Sequence, residues 1–176
     1  MSLHAHIPRP LQRLLNFVAY QATWFTGVYG GDKWTIPAVT CLLIIHLLIV
    51  REGEWKLMGC FAITGICMDT IWMHLGLVHY PENTMYPLLP IWLMLLWFAV
   101  STTLTHAINP IFRRPVLVTI LAVLIAPYSY SVGAKAGGID ITEAGYYAVA
   151  AGWGTLMFIT SFTIKYIRPD MVGLEH

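Results

Sequence analysis

Charge is what this sequence has least of. Its 176 residues carry ten basic and nine acidic side chains, 11% of the chain, against roughly 25% in an average soluble domain. So few charges, set between long apolar runs, do not supply the polar surface that a water-soluble fold of this size needs. Basic clusters are scarce as well. The longest is Arg113-Arg114 and the net charge is +1, which excludes an electrostatic footprint for nucleic acid. Cys41, Cys60 and Cys67 fall inside apolar runs without CxxC spacing, so neither a disulfide framework nor a cysteine zinc site is encoded. No histidines stand in HxxxH or HxxEH order, and the sequence therefore assigns no metal site and identifies no cofactor. Nor does any Ser-His-Asp or Cys-His motif mark hydrolysis. A cleavable leader is not expected either. The first apolar run follows Arg9 and Arg13 but holds Asn16, Gln21 and Trp24 and lacks a small-x-small site.

What is present is hydrophobicity, 57% of the chain. A bilayer core of ~30 Å is crossed by about 20 apolar helical residues. Residues 14–30, 34–50, 57–80, 87–108, 115–135 and 144–167 qualify. Between them lie short breakers, Gly31-Asp32, Arg51-Glu52-Gly53, Pro81-Glu82-Asn83, Asn109-Pro110 and Gly137-Gly138. The expected architecture is a single all-α membrane domain over residues 1–176, a bundle of six transmembrane helices. With the N-terminus inside, Arg9, Arg13, Arg51, Lys56, Arg113, Arg114, Lys165 and Arg168 fall on the cytoplasmic side and only Lys33 and Lys135 on the other. That asymmetry places both termini in the cytoplasm. Trp34, Trp55, Tyr80, Tyr86 and Tyr166 read as interfacial anchors. Ala144, Ala148 and Gly152, and separately Gly133 and Gly137, form small-residue stripes for close helix packing, within the bundle or between copies in a homo-oligomer.

Asp69 is the most informative residue. It lies 12 residues past Leu57, roughly 18 Å along the third expected helix and so near the bilayer midplane. A carboxylate there costs about 2.5–3.5 kcal/mol, so it is neutralised, paired or turned into the bundle, and it is a functional candidate by default. The bland alternative is structural glue between helices. Gly65, Asp69, Trp72 and Gly76 share one face at helical spacing, offering an acid, an indole and two gaps for a neighbouring helix or ligand. Thr102, Thr103 and Tyr128 are the expected hydroxyl partners.

Asn16 and Gln21 on the first helix, His46 on the second, and Thr103 and His106 on the fourth make a second polar cluster toward the inner side. Such a cluster suits a polar headgroup or a proton relay, with interhelical hydrogen bonding as the plainer reading for each member. The fifth helix offers Tyr128 and Tyr130 directly after Pro127, which should kink it. Trp24, Trp72, Trp97 and Trp153 add flat apolar surfaces that suit core packing or a lipid-like ligand.

The runs from Asn16 to Phe25, Pro90 to Leu93 continuing to Trp97, Thr103 to His106 and Ala126 to Tyr130 with Gly133-Ala134, together with Asp69, resemble a bacterial family of small multi-pass inner-membrane proteins of unknown function. The resemblance spans nearly the whole chain and carries no catalytic or binding roles. It implies a bacterial inner-membrane location and a neighbourhood of genes for lipid modification and photo-oxidative stress. Three functions compete. The leading one is a protein that holds a lipid or other hydrophobic molecule in a pocket bordered by Asp69, Trp72, Tyr128 and the inner cluster. The others are a lipid-modifying enzyme using Asp69 or His106 as acid or base, and a small proton-coupled transporter that titrates Asp69.

Overall fold

In a computed structural model, which describes residues 8–47, 53–81 and 83–166, the chain is mainly helical. In order, the elements are α1 (Arg9–Leu47), α2 (Glu54–His74), β1 (Val78–His79), α3 (Ile91–Ser101), α4 (Asn109–Phe112), α5 (Pro115–Lys135), β2 (Asp140–Ile141) and α6 (Glu143–Tyr166). Arg51, Arg168 and the expected helix-end residues 48–50 and 167 lie outside the described residues. Among the latter, α2, α5 and α6 are long and apolar enough to cross a membrane. At ~1.5 Å per residue each exceeds the ~30 Å of a hydrocarbon core. That is the make-up of a membrane protein.

The first two expected helices are the two limbs of α1. Its 39 residues contain one non-helical residue, Gly31, with φ 54° and ψ −152°, a region essentially closed to side chains with a Cβ. The chain reverses there. Asn16 on the first limb bonds Thr102, and His46 on the second stands beside His106, whereas Asp32 at the turn accepts a hydrogen bond from the Trp92 backbone N–H. The limbs are therefore antiparallel against α3, with Val39 and Leu42 packed on Ala99 and flanked by Tyr20 and Leu95.

Two helices are shorter than expected. The third was expected to reach residue 80, but α2 stops at His74. Gly76 (φ 68°) takes the left-handed conformation, its N–H bonds the Met73 carbonyl, and the Leu77 N–H reaches back to Trp72. This Schellman pattern closes the helix. Gly137 and Gly138 close α5 in the same way through Ala134 and Gly133. Gly76 is thus a stop signal and not a gap on the Asp69 face. Replacing it with alanine is expected to cost about 1 kcal/mol. Gly59→Ala, in open space on α2, is expected to be neutral or mildly stabilising; thermal unfolding of the two variants in detergent checks the contrast.

The fourth helix was expected over residues 87–108 and is helical only from Ile91 to Ser101. The hydroxyls of Ser101, Thr102 and Thr103 donate to the carbonyls of Phe98, Ala99 and Val100. The backbone N–H groups of Thr102, Thr103, Leu104 and His106 likewise bond three residues back. Side-chain competition at a Ser-Thr-Thr run loosens the α-helix into tighter turns. α5 has the expected bounds and continues through Pro127. Among the described residues, the one departure from all-α is β1 paired antiparallel with β2, Val78 opposite Ile141 and His79 opposite Asp140, which ties the end of α2 to the start of α6.

α1 packs on α3, α5 packs on α6, and α2 touches both pairs. One end of the bundle gathers Asn16 with Thr102, Glu54 with His106, and Ser161, whose hydroxyl donates to the Phe112 carbonyl. Arg13, Lys56, Arg113, Arg114 and Lys165 neighbour these groups in sequence. The other end gathers Asp32 with Trp92 and the β1–β2 pair, beside Lys33 and Lys135.

Candidate functional site

Asp69 is fully buried, at 0% exposure, and turned into the bundle. It is the sixteenth of the 21 residues of α2, about 7–8 Å from the helix's last residue. It therefore sits nearer the β1–β2 end of α2 than its start, whereas in the longer helix expected over residues 57–80 it would stand midway along. Its oxygens are held from two sides. The Trp97 indole N–H of α3 donates to Oδ2 at 2.7 Å, and the Tyr130 hydroxyl of α5 donates to Oδ1 at 2.5 Å. These partners replace the expected Thr102, Thr103 and Tyr128. A buried carboxylate that accepts two directed donors is a strong positional constraint, since losing it leaves both donors unpaired.

The aromatic residues around it are fixed in turn. Trp97 stacks on Trp153 of α6, centroids 4.6 Å apart and planes 18° apart, and Trp72 meets Tyr130 edge-on at 6.3 Å. Trp97 fits because residue 65 lacks a side chain. A Cβ there would stand 2.1 Å from its Cε3, so the gap expected at Gly65 is real and is filled by the indole.

Between the α1–α3 pair and the α5–α6 pair lies a cavity of about 260 Å³. Phe17, Tyr20 and Trp24 line it from α1, Trp92, Leu96 and Trp97 from α3, Ala122, Ala126 and Tyr130 from α5, and Trp153 and Met157 from α6, with Asp69 reaching it from α2. Its surface is mainly apolar, which is what a hydrophobic ligand requires. Two buried lining groups, the Tyr80 hydroxyl and the Trp153 indole N–H, have no hydrogen-bond partner among the described residues. Both lie near the carboxylate. Tyr80 is close enough to Asp69 and Tyr130 to interact electrostatically, and the Trp153 N–H is near the Tyr130 hydroxyl without hydrogen-bond geometry to it. Buried donors left unpaired are costly, so a cavity that presents two of them is matched to an occupant bearing an acceptor.

At the other end of the bundle the second polar cluster divides. The Asn16 side-chain amide donates to the Thr102 hydroxyl at 3.1 Å and its oxygen accepts from the Ala107 N–H at 3.4 Å, fastening the first limb of α1 to the turns after α3. Thr103 lines the cavity. His46 and His106 meet edge-on, centroids 5.1 Å apart, and their Nε2 atoms lie 3.3 and 3.2 Å from the same oxygen of Glu54. Thr105 donates its hydroxyl to that oxygen as well. Glu54, the first residue of α2, is 1% exposed and was not among the expected site residues.

Of the ten expected site residues, Asp69, Tyr130, Trp24 and Thr103 line the cavity, and Trp72 backs Tyr130. Asn16, His46 and His106 gather at the end of the bundle that holds Glu54. Gln21 is half-buried and does not line the cavity. Tyr128 is 68% exposed on the outer face of α5, two residues from the tyrosine that reaches the acid, and does not belong to the site.

Residues 13–159 match one family model, described as "Protein of unknown function (DUF2878)". No curated protein and no solved structure matches the chain.

Proposed function

The chain belongs to this family, matched over most of its length but assigned no activity, and from the site's own geometry we propose that it holds a hydrophobic molecule with a polar acceptor group in the intramembrane cavity. The observation that carries this reading is the pair of unpartnered donors, Tyr80 and Trp153, on a mainly apolar lining beside Asp69. About 260 Å³ is just below the ~300 Å³ at which drug-sized pockets begin. The occupant is then a single acyl chain or a compact apolar molecule with a carbonyl, carboxyl or hydroxyl oxygen, and not a whole two-chain lipid. Both oxygens of Asp69 are engaged by donors, which favours a holding role over proton transfer and hence binding over transport.

In this reading the protein is a multi-pass protein of a bacterial inner membrane with six crossings and both termini cytoplasmic. The antiparallel limbs of α1, and α3 together with the turns that continue it toward Ile108, supply the three crossings beyond α2, α5 and α6. The basic residues gathered at one end of the bundle support that orientation. Native mass spectrometry after mild detergent extraction tests the holding role. The wild-type chain is expected to retain a lipid-like mass that the Tyr80→Phe, Trp153→Phe double variant retains several-fold less. A monodisperse wild-type protein without any retained mass would count decisively against it.

A further inference from the structure

We propose that His46, Glu54 and His106 form a three-ligand site for a divalent first-row transition metal, at the opposite end of α2 from Asp69. The three residues come from the end of α1, the start of α2 and the turns after α3, and their exposures are 3%, 1% and 5%. Their donor atoms all lie within 4.8 Å of one another. Both Nε2 atoms approach Glu54 Oε1 at hydrogen-bonding distance, yet neither has hydrogen-bond geometry to it or to another described residue, and His46 Nδ1 is unpartnered too. An ordinary buried ion pair directs an N–H at the carboxylate. Atoms that converge without such direction are arranged around a common point instead.

The spacing fits a metal. Bonds of about 2.0–2.2 Å at tetrahedral angles put neighbouring ligand atoms about 3.3–3.5 Å apart, close to the two separations seen. Two imidazoles and a carboxylate suit zinc, and equally non-haem Fe²⁺. The Thr105 hydroxyl on Glu54 is the kind of outer contact that fixes a ligating carboxylate. Three protein ligands leave a coordination position for water, as in sites that act on substrates. Thr103 and Ala107, on either side of His106, line the cavity. The site stands on its own donor set, however, and does not depend on the cavity being filled.

The test uses the full chain in detergent, with His4 and His6 replaced by alanine to remove the N-terminal histidines. After loading with Zn²⁺ and removal of free metal, about one ion per chain is expected by elemental mass spectrometry. His46→Ala and His106→Ala should each abolish it, and Thr105→Val should weaken affinity about 10–100-fold. His74→Ala and His79→Ala should leave it unchanged. Co²⁺ in the unmutated site should give the intense visible absorption of a four- or five-coordinate ion, which decides the matter even where a ligand variant does not fold. Folded protein that takes up no Zn²⁺, Co²⁺ or Fe²⁺, or that keeps its metal when both histidines are replaced, overturns the proposal.

Discussion

Asp69→Ala is expected to destabilise the protein by about 2–4 kcal/mol, the largest effect of any single polar substitution in the cavity wall. Interhelical hydrogen bonds inside membranes are individually modest, averaging about 0.6 kcal/mol with a maximum near 1.7, because the unfolded reference state also finds partners. Asp69 exceeds that average by the number and type of bonds it accepts. Two donors from two different helices converge on it, one from the Trp97 indole and one from the Tyr130 hydroxyl. Removing the acceptor leaves both buried and unpaired in a setting without water, at about 1–3 kcal/mol each in the general case. Asp69→Asn keeps one acceptor oxygen, so its loss is expected to be about half as large. Reversible unfolding of the wild type and the two variants in the same detergent checks the order. Equal stability of all three would show that the carboxylate does not join α2, α3 and α5.

The second large effect is steric. Gly65→Val puts a branched side chain where a Cβ alone would stand 2.1–2.3 Å from three atoms of the Trp97 ring. Trp97 has no room to retreat, because Trp153 is stacked 4.6 Å behind it and Phe61 packs beside it. Overpacking of this kind costs about 1–3 kcal/mol. Displacing the indole also breaks its bond to Asp69, worth about 1 kcal/mol more. A lowered Tm, together with loss of the retained ligand mass, is the expected result. Leu96 offers a useful comparison on the same helix. It packs against Gly27 of α1, away from the acid, so Gly27→Ala is expected to lower Tm without affecting Asp69.

Much of this fold is written in hydropathy and breakers. The reversal at Gly31, the bounds of α5 and the course of α6 follow from apolar length and glycine placement. What hydropathy does not contain is where a polar group within an apolar helix finds its partner. The Ser101-Thr102-Thr103 run keeps its hydropathy while its hydroxyls take carbonyls from the helix, so α3 ends early although the apolar run continues. Gly76 was readable as a helix stop, but the spacing of Gly65, Asp69 and Trp72 made it look like a fourth member of one face.

The candidate site was legible in its acid and not in its companions. Asp69 is conspicuous because a carboxylate in an apolar helix is costly wherever it points. Choosing between Tyr128 and Tyr130 required the rotation of α5 about its own axis, and a helix that is apolar all round hides that angle. The small residues do carry the answer. Ala122, Ala126 and Gly133 are buried, whereas Val116, Ile120 and Leu124 face outward. Membrane helices put small residues at their interfaces. Tyr130 lies four residues past Ala126 and three before Gly133, on that inward stripe, and Tyr128 does not. Glu54 was hidden for a different reason. It reads as a loop residue beside Arg51, Glu52 and Gly53, and only the folded chain brings it to two histidines that lie 60 positions apart in sequence.

An experimental density map of the protein purified from its native membrane puts the cavity to its most direct trial. Elongated density between the α1–α3 and α5–α6 pairs, with its polar end within hydrogen-bonding reach of the Tyr80 hydroxyl and the Trp153 indole N–H, is the expected result. A collapsed cavity in which those two groups bond to the protein itself would contradict the account.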